Sequence, residues 1–304
     1  TNVRKESAYT RYINRWNLQK ATPYADISYP KTPIVFWLEN TIPIEYRPAI
    51  IEGVESWNLA FEAIGYKDAI IAKIMPDDAE WDPADIRYST IRWLVQPGSA
   101  YAVGPSRANP YTGEIYDADI RISADYVRHY YTDLNQFIEP LIPQNFDDFI
   151  IRENNDTLNK NYSKCNYQQF MLENAGFIWN KENLSIKNIY SNKIERFIYD
   201  ALVDLILHEV GHTLGLRHNF KASSIYSFSE ISNPNFTAKN GVTGSVMDYN
   251  AANLMDNGMS YFQTKPGPYD YWAIEYAYSE TPYNMTEEDY LNSISGLSEY
   301  LESY

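Results

Sequence analysis

The sequence predicts an α+β fold: a mixed, twisted sheet and a long histidine-bearing helix in an N-terminal lobe, then a smaller, mainly helical or irregular C-terminal lobe. Three observations predict it. Short apolar runs of strand length recur through the first 125 residues, with one stripe at helical spacing among them. A longer amphipathic segment ending at a glycine follows near residue 215. Beyond it the chain turns polar and irregular before helical patterning returns. This order places the lobes at 1–218, with an insertion at about 126–193, and at 219–304.

Residues 1–30 are mixed polar and aromatic and read as an irregular lead-in. IVFWL at 34–38 is short, apolar and bounded by Pro33 and Asn40, as a buried strand should be. Within 45–64, Ile50, Val54, Trp57, Phe61 and Ile64 form one stripe of a single helix, with Pro48 in its first turn. Gly65 sits where a left-handed C-terminal cap belongs. IIAKIM (70–75) and IRYSTIRWLV (86–95) read as strands around an acidic loop, DDAEWD. AYAVG (100–104) and EIYDADIRIS (114–123) read as a pair, joined through Asn109-Pro110 and Thr112-Gly113.

The stretch 126–193 is rich in Asn, Tyr and charge and reads as an insertion of short helices and loops. From Lys193, KIERFIYDALVDLILHEVGHTLG predicts a long amphipathic helix with Phe197, Ala201, Leu205 and Leu207 inward, ended by Gly215. A polar loop (219–243), the stretch GSVMDYN (244–250), a helix near 269–278 and an acidic helical tail (285–304) complete the chain.

Composition bounds the function. With 25 Lys+Arg against 40 Asp+Glu, the net charge of −15 argues against a nucleic-acid backbone as partner. There is no apolar run long enough to span a membrane, and the first residues lack a signal core. One cysteine, Cys165, excludes an internal disulfide and a multi-cysteine zinc site, and reads as an inert thiol.

The chemistry lies in HEVGHTLGLRH, residues 208–218. His208 and His212 are one helical turn apart on one face, so their imidazoles can converge on one ion. Glu209, displaced about 100° around the helix, can reach a water at that ion without becoming a ligand. A glycine of positive φ at Gly215 ends the helix sharply and lets His218 return as a third ligand. Three protein ligands with one open position is the catalytic arrangement for zinc. Three of the chain's 4 histidines fall in these residues; the other, His129, reads as structural or surface.

HExxHxxGxxH followed by a methionine turn resembles the signature of the metzincin metalloproteases. Met247, in SVMDY, stands 29 residues after His218 (247 − 218), a spacing compatible with that turn. The chain is most similar to a bacterial family of large zinc-dependent metalloproteases carrying HEVGHTLGLRHNF, SVMDY and a segment like GPYDYWAIEY, a likeness spanning about residues 30 to 280. Asn219 departs from the residue usual after the third histidine in serralysins and matrixins.

The resemblance implies a metzincin-like fold and a zinc-dependent endopeptidase using one catalytic Zn2+. It implies that Glu209 activates the attacking water, that Met247 supports the histidines by packing, and that Tyr249 is a further zinc ligand or oxyanion donor. It also implies that Tyr101, Ala102, Val103 and Gly104 form the edge strand that pairs with substrate. The partner is then a protein or peptide, the enzyme is extracellular or periplasmic, and the chain is the catalytic part of a longer protein. The acidic stretches DDAEWD and DAD lack the spacing of a calcium loop and read as solvated faces, so calcium is unsupported. Two other readings remain: a zinc hydrolase of a cell-wall peptide or non-protein amide, and a zinc-stabilised binding module without catalysis. The intact Glu209 speaks against the second.

Overall fold

The computed structural model describes residues 12–23, 25–96, 101–128, 190–253 and 260–302. The expected insertion is thereby mostly outside the described residues, as are His129 and Cys165. A mixed sheet and the helices packed on it form an α+β fold. Its strands are β1 (Arg15–Trp16), β2 (Ile34–Leu38), β3 (Ile70–Ile74), β4 (Ser89–Leu94), β5 (Ala102–Val103), β6 (Ser106–Ala108) and β7 (Glu114–Ser123).

β2 is parallel to both β3 and β4, β4 is parallel to β7, and β1 joins β7 in parallel at Arg15↔Glu114. β5 and β6 run antiparallel to β7, with Ala102 opposite Ile122 and Arg107 opposite Asp117. Parallel neighbours need a crossover. Between β2 and β3 it is supplied by α1 (Arg47–Glu55) and α2 (Asn58–Ala63). Alternation in β2 sends Ile34, Phe36 and Leu38 into a core shared with Val54, Trp57 and Phe61 of this crossover.

The long helix α3 (Tyr190–Thr213) crosses the same core and buries Phe197, Ala201, Leu205 and Leu207. It is not amphipathic throughout as expected: every residue from Asp200 to Gly211 is buried, so this part of the helix is enclosed on all faces. α1 lies so close to it that a Cβ on Gly53 would sit 2.6 Å from Ile206 Cβ. After α3 come two short helices, α4 (Phe228–Ile231) and α5 (Pro234–Asn240), then α6 (Pro268–Tyr278) and α7 (Glu287–Glu302). Among the described residues no helix is long and apolar enough to cross a membrane.

Several expectations change. The stripe at 45–64 is carried by two helices, because the chain tightens through i→i+3 bonds at Trp57 and Leu59. The break puts the Trp57 indole N–H on Leu207 O at 3.1 Å and sets the Asn58 amide against both polar groups of Ile70. Gly65 follows with φ +85, the predicted left-handed residue. The lead-in contains β1, and β6 lies in what read as a plain connection. The loop at 219–243 holds α4 and α5, α4 opening on a Ser227–Glu230 capping box.

DAD is not a solvated face. Asp117 is fully buried and Asp119 nearly so, and Arg107 of β6 pairs with both, at 3.4 Å from Asp119. Thr90 Oγ1 donates to Asp119 Oδ1 at 2.9 Å. Two carboxylates two apart on a strand share a face, and one guanidinium can face both, offsetting one of the two charges. Asp77, Asp78, Glu80 and Asp82 of DDAEWD are exposed, as expected.

Candidate metal centre

His208, His212 and His218 come together with ligand atoms all within 4.8 Å of one another. The first two are one turn apart on α3, their rings 4.9 Å centre to centre. The third arrives through the turn after the helix. Gly215 takes φ +97, and the helix closes with Leu216 N donating to Gly211 O and Gly215 N to His212 O, both at 3.1 Å. That pair of bonds is a Schellman closure with glycine in its left-handed position. The reversal brings His218 Nε2 to 3.0 Å from His212 Nε2.

The donor chemistry suits a metal ion. His208 Nδ1 is 2.7 Å from Val246 O and His212 Nδ1 is 3.2 Å from Leu216 O. A carbonyl accepts only, so each Nδ1 carries the proton and each Nε2 keeps its lone pair. Burial, with some repulsion from His212 and His218, holds His208 well below the ordinary histidine range. Burial lowers His212 to about 4, and burial with the nearby Arg217 charge lowers His218. The three rings are therefore neutral at pH 7, the form that binds a metal. The 3.0 Å approach of His212 Nε2 and His218 Nε2 brings two ring nitrogens close enough to share one cation.

Glu209 is fully buried beside this group. The end of the edge strand rests on it: a Cβ on Gly104 would collide with Glu209 O and stand 3.3 Å from Oε2. Tyr101 O accepts from Ser123 N at 2.9 Å, and Ala102 and Val103 pair with Ile122 and Arg121. Among the described residues β5 has no strand on its other side. Met247 is fully buried under the helix, where a Cβ on Gly211 would overlap its sulfur. The Tyr249 ring is 4.7 Å from His218 and 5.7 Å from His208. Tyr249 thus lies against the histidine rings, Met247 beneath their helix, and the Gly104 end of β5 against Glu209.

Two residues here had no role assigned from the sequence. Asp270, in the first turn of α6, is fully buried and pushed up to about 6 by that burial. It accepts from Ser245 Oγ at 2.6 Å, Val246 N at 2.9 Å and Gly267 N at 2.7 Å. Val246 is the residue whose carbonyl accepts from His208 Nδ1, so Asp270 steadies the His208 ring through the turn. Its sequence signal was an acidic residue just after Gly267-Pro268, a helix-start pattern. Asn219 is the other: its N–H donates to Met247 O at 2.9 Å, tying the third-ligand turn to the methionine turn.

Residues 191–301, from the histidine helix to the last helix, match a family model described as Met-zincin. The resemblance drawn from the motif is borne out over that segment, and the α+β architecture agrees with it. No curated protein and no solved structure matches the chain.

Proposed function

We propose, with the Met-zincin match as the premise, that the chain is a zinc-dependent endopeptidase hydrolysing internal peptide bonds. The observation that carries the reading is the convergence of three neutral imidazoles beside a buried glutamate and an edge strand. His208, His212 and His218 would hold the ion. Zinc, when bound, supplies a Lewis acid that polarises the carbonyl and lowers the pKa of water.

The protein's own groups do the rest. The open side of β5, Tyr101 to Gly104, offers backbone N–H and C=O groups to an extended peptide and lays it across Glu209. Glu209 takes a proton from the attacking water and returns one to the departing amine. The Tyr249 phenol donates to the oxygen on which negative charge develops. Met247 and Asp270 keep the histidine side chains in one orientation, which avoids reorganisation during the reaction. On this reading the cleft lies between lobes 1–218 and 219–304, and the enzyme works outside the cytoplasm.

The test is zinc content measured together with cleavage of an unstructured protein such as casein, for the wild type and Glu209→Ala. Near-stoichiometric zinc in both, with cleavage by the wild type alone, supports the reading. Zinc without any cleavage by the wild type would sink it in favour of another zinc hydrolase or a binding module.

A further inference from the structure

Phe220 is the side chain at the histidine cluster for which the chemistry above has no task. Its ring is 60% exposed, although its centre is 5.3 Å from the His218 ring and 5.1 Å from the Tyr249 ring. With His218 and Tyr249 themselves 4.7 Å apart, the three rings make one continuous wall ending in Phe220. The backbone on both sides is held. Asn219 N donates to Met247 O at 2.9 Å, and Ser223 N donates to Asp248 Oδ2 at 2.7 Å. Phe220 therefore stands in solvent on a fixed support.

Tyr249 packs against the main core, whereas Phe220 is outside it, so the ring is not there to stabilise the fold. An exposed aromatic ring gains by being covered with an apolar group. Any group bound at the three histidines is within one side-chain length of this ring. Resting on the peptidase reading, we propose that Phe220 determines specificity. It packs on the substrate side chain flanking the cleaved bond and selects peptides with an aromatic or large aliphatic residue there.

The experiment uses the zinc-loaded full chain and quenched fluorescent peptides differing only at that flanking residue: Ala, Leu, Phe or Asp. Wild type should cleave the Leu and Phe peptides with kcat/KM at least ~10-fold above the Ala peptide, the usual scale of apolar-pocket discrimination. Phe220→Ala should bring that ratio to within about twofold of one, and Phe220→Leu should retain most of it. Preference surviving Phe220→Ala, no preference in wild type, or equal loss on every peptide would overturn the proposal. So would a preference for Asp, which would point to Arg217 instead.

A second readout needs no turnover. The affinity of phenylalanine hydroxamate relative to alanine hydroxamate should favour the former in wild type and not in Phe220→Ala. If wild type cleaves none of the peptides, the peptidase reading fails on its own. The hydroxamate comparison then still decides the contact: equal affinities in wild type overturn it, and a Phe220-dependent preference upholds it.

Discussion

The sulfur of Met247 lies directly against the backbone of Gly211, the residue just before His212, with Trp57 packed beside it. A Cβ at Gly211 would overlap the sulfur and come within 3.0 Å of Trp57 Cζ2. Alanine in a helix interior is ordinarily worth up to about 1 kcal/mol over glycine. Here it enters a packed core, where overpacking costs about 1 to 3 kcal/mol. We expect Gly211→Ala to lower the thermal midpoint and weaken zinc binding. Adding Met247→Ala should recover part of both losses, which a double-mutant cycle of unfolding free energies would read as coupling. Additivity of the two changes would refute the contact's role.

Gly215 carries φ +97, and a Cβ there would also strike Asn14 O from the lead-in. An L residue at this angle is strained by ~1 to 3 kcal/mol before the clash is counted. Gly215→Ala should therefore misplace His218 while leaving His208 and His212 on intact helix. Competition with a chromophoric chelator should show zinc affinity reduced at least ~10-fold, the scale of 1.4 kcal/mol. Unchanged affinity would mean that another element aims His218.

Asp270→Ala leaves Ser245 Oγ, Val246 N and Gly267 N without their acceptor, each in a buried setting. At ~1 to 3 kcal/mol for each unmet group, a loss on the order of 3 kcal/mol is expected in urea unfolding. Asp270→Asn can still accept from the two N–H groups while its amide donates to Ser245 Oγ, so it should stay folded and keep its zinc.

The same pair of proteins isolates a pH effect. Burial raises the folded pKa of Asp270 from the ordinary 3.8 to about 6. The protonated form is thus favoured by folding, and the stability it contributes is present below the unfolded pKa. That contribution is lost as pH rises through about 6. Asp270→Asn stays neutral throughout. The unfolding free energy of wild type minus that of Asp270→Asn should fall between pH 4 and 7. A flat or rising difference would show that the hydrogen bonds, not burial, dominate at this carboxyl.

Arg107 faces Asp117 and Asp119, both buried, from the short strand β6. Breaking a fully buried ion pair costs about 3 to 5 kcal/mol, but the Arg107 side chain is 48% exposed, so screening reduces the expected loss to about 1 to 3 kcal/mol. Arg107→Ala should therefore be among the most destabilising single changes on the sheet edge, read as a lowered denaturation midpoint. A change below ~1 kcal/mol would mean that water reaches these carboxylates.

How much of this was legible beforehand depended on distance along the chain. The strand at 34–38, the histidine helix and the helix near 269–278 were readable because burial imposes a period on a continuous segment. β1, two residues long, and β6, three, are too short to show a period, and their pairing with β7 is long-range. The break at Trp57 was hidden for another reason. The apolar stripe runs through it, and the indole that sits at the break bonds a carbonyl 150 residues away.

The candidate site divides along the same line. By itself the sequence determined the three candidate metal donors, the neighbouring glutamate and the glycine that ends their helix, since all lie within eleven consecutive residues and helical geometry relates them. Only the tertiary structure decided what holds those donors still. Asp270 steadies the turn whose carbonyl accepts from His208 Nδ1, Met247 fills the hollow at Gly211, and Asn14 lies against Gly215. Such contacts join residues far apart in sequence and leave no local period, so they exist only once the chain has closed on itself.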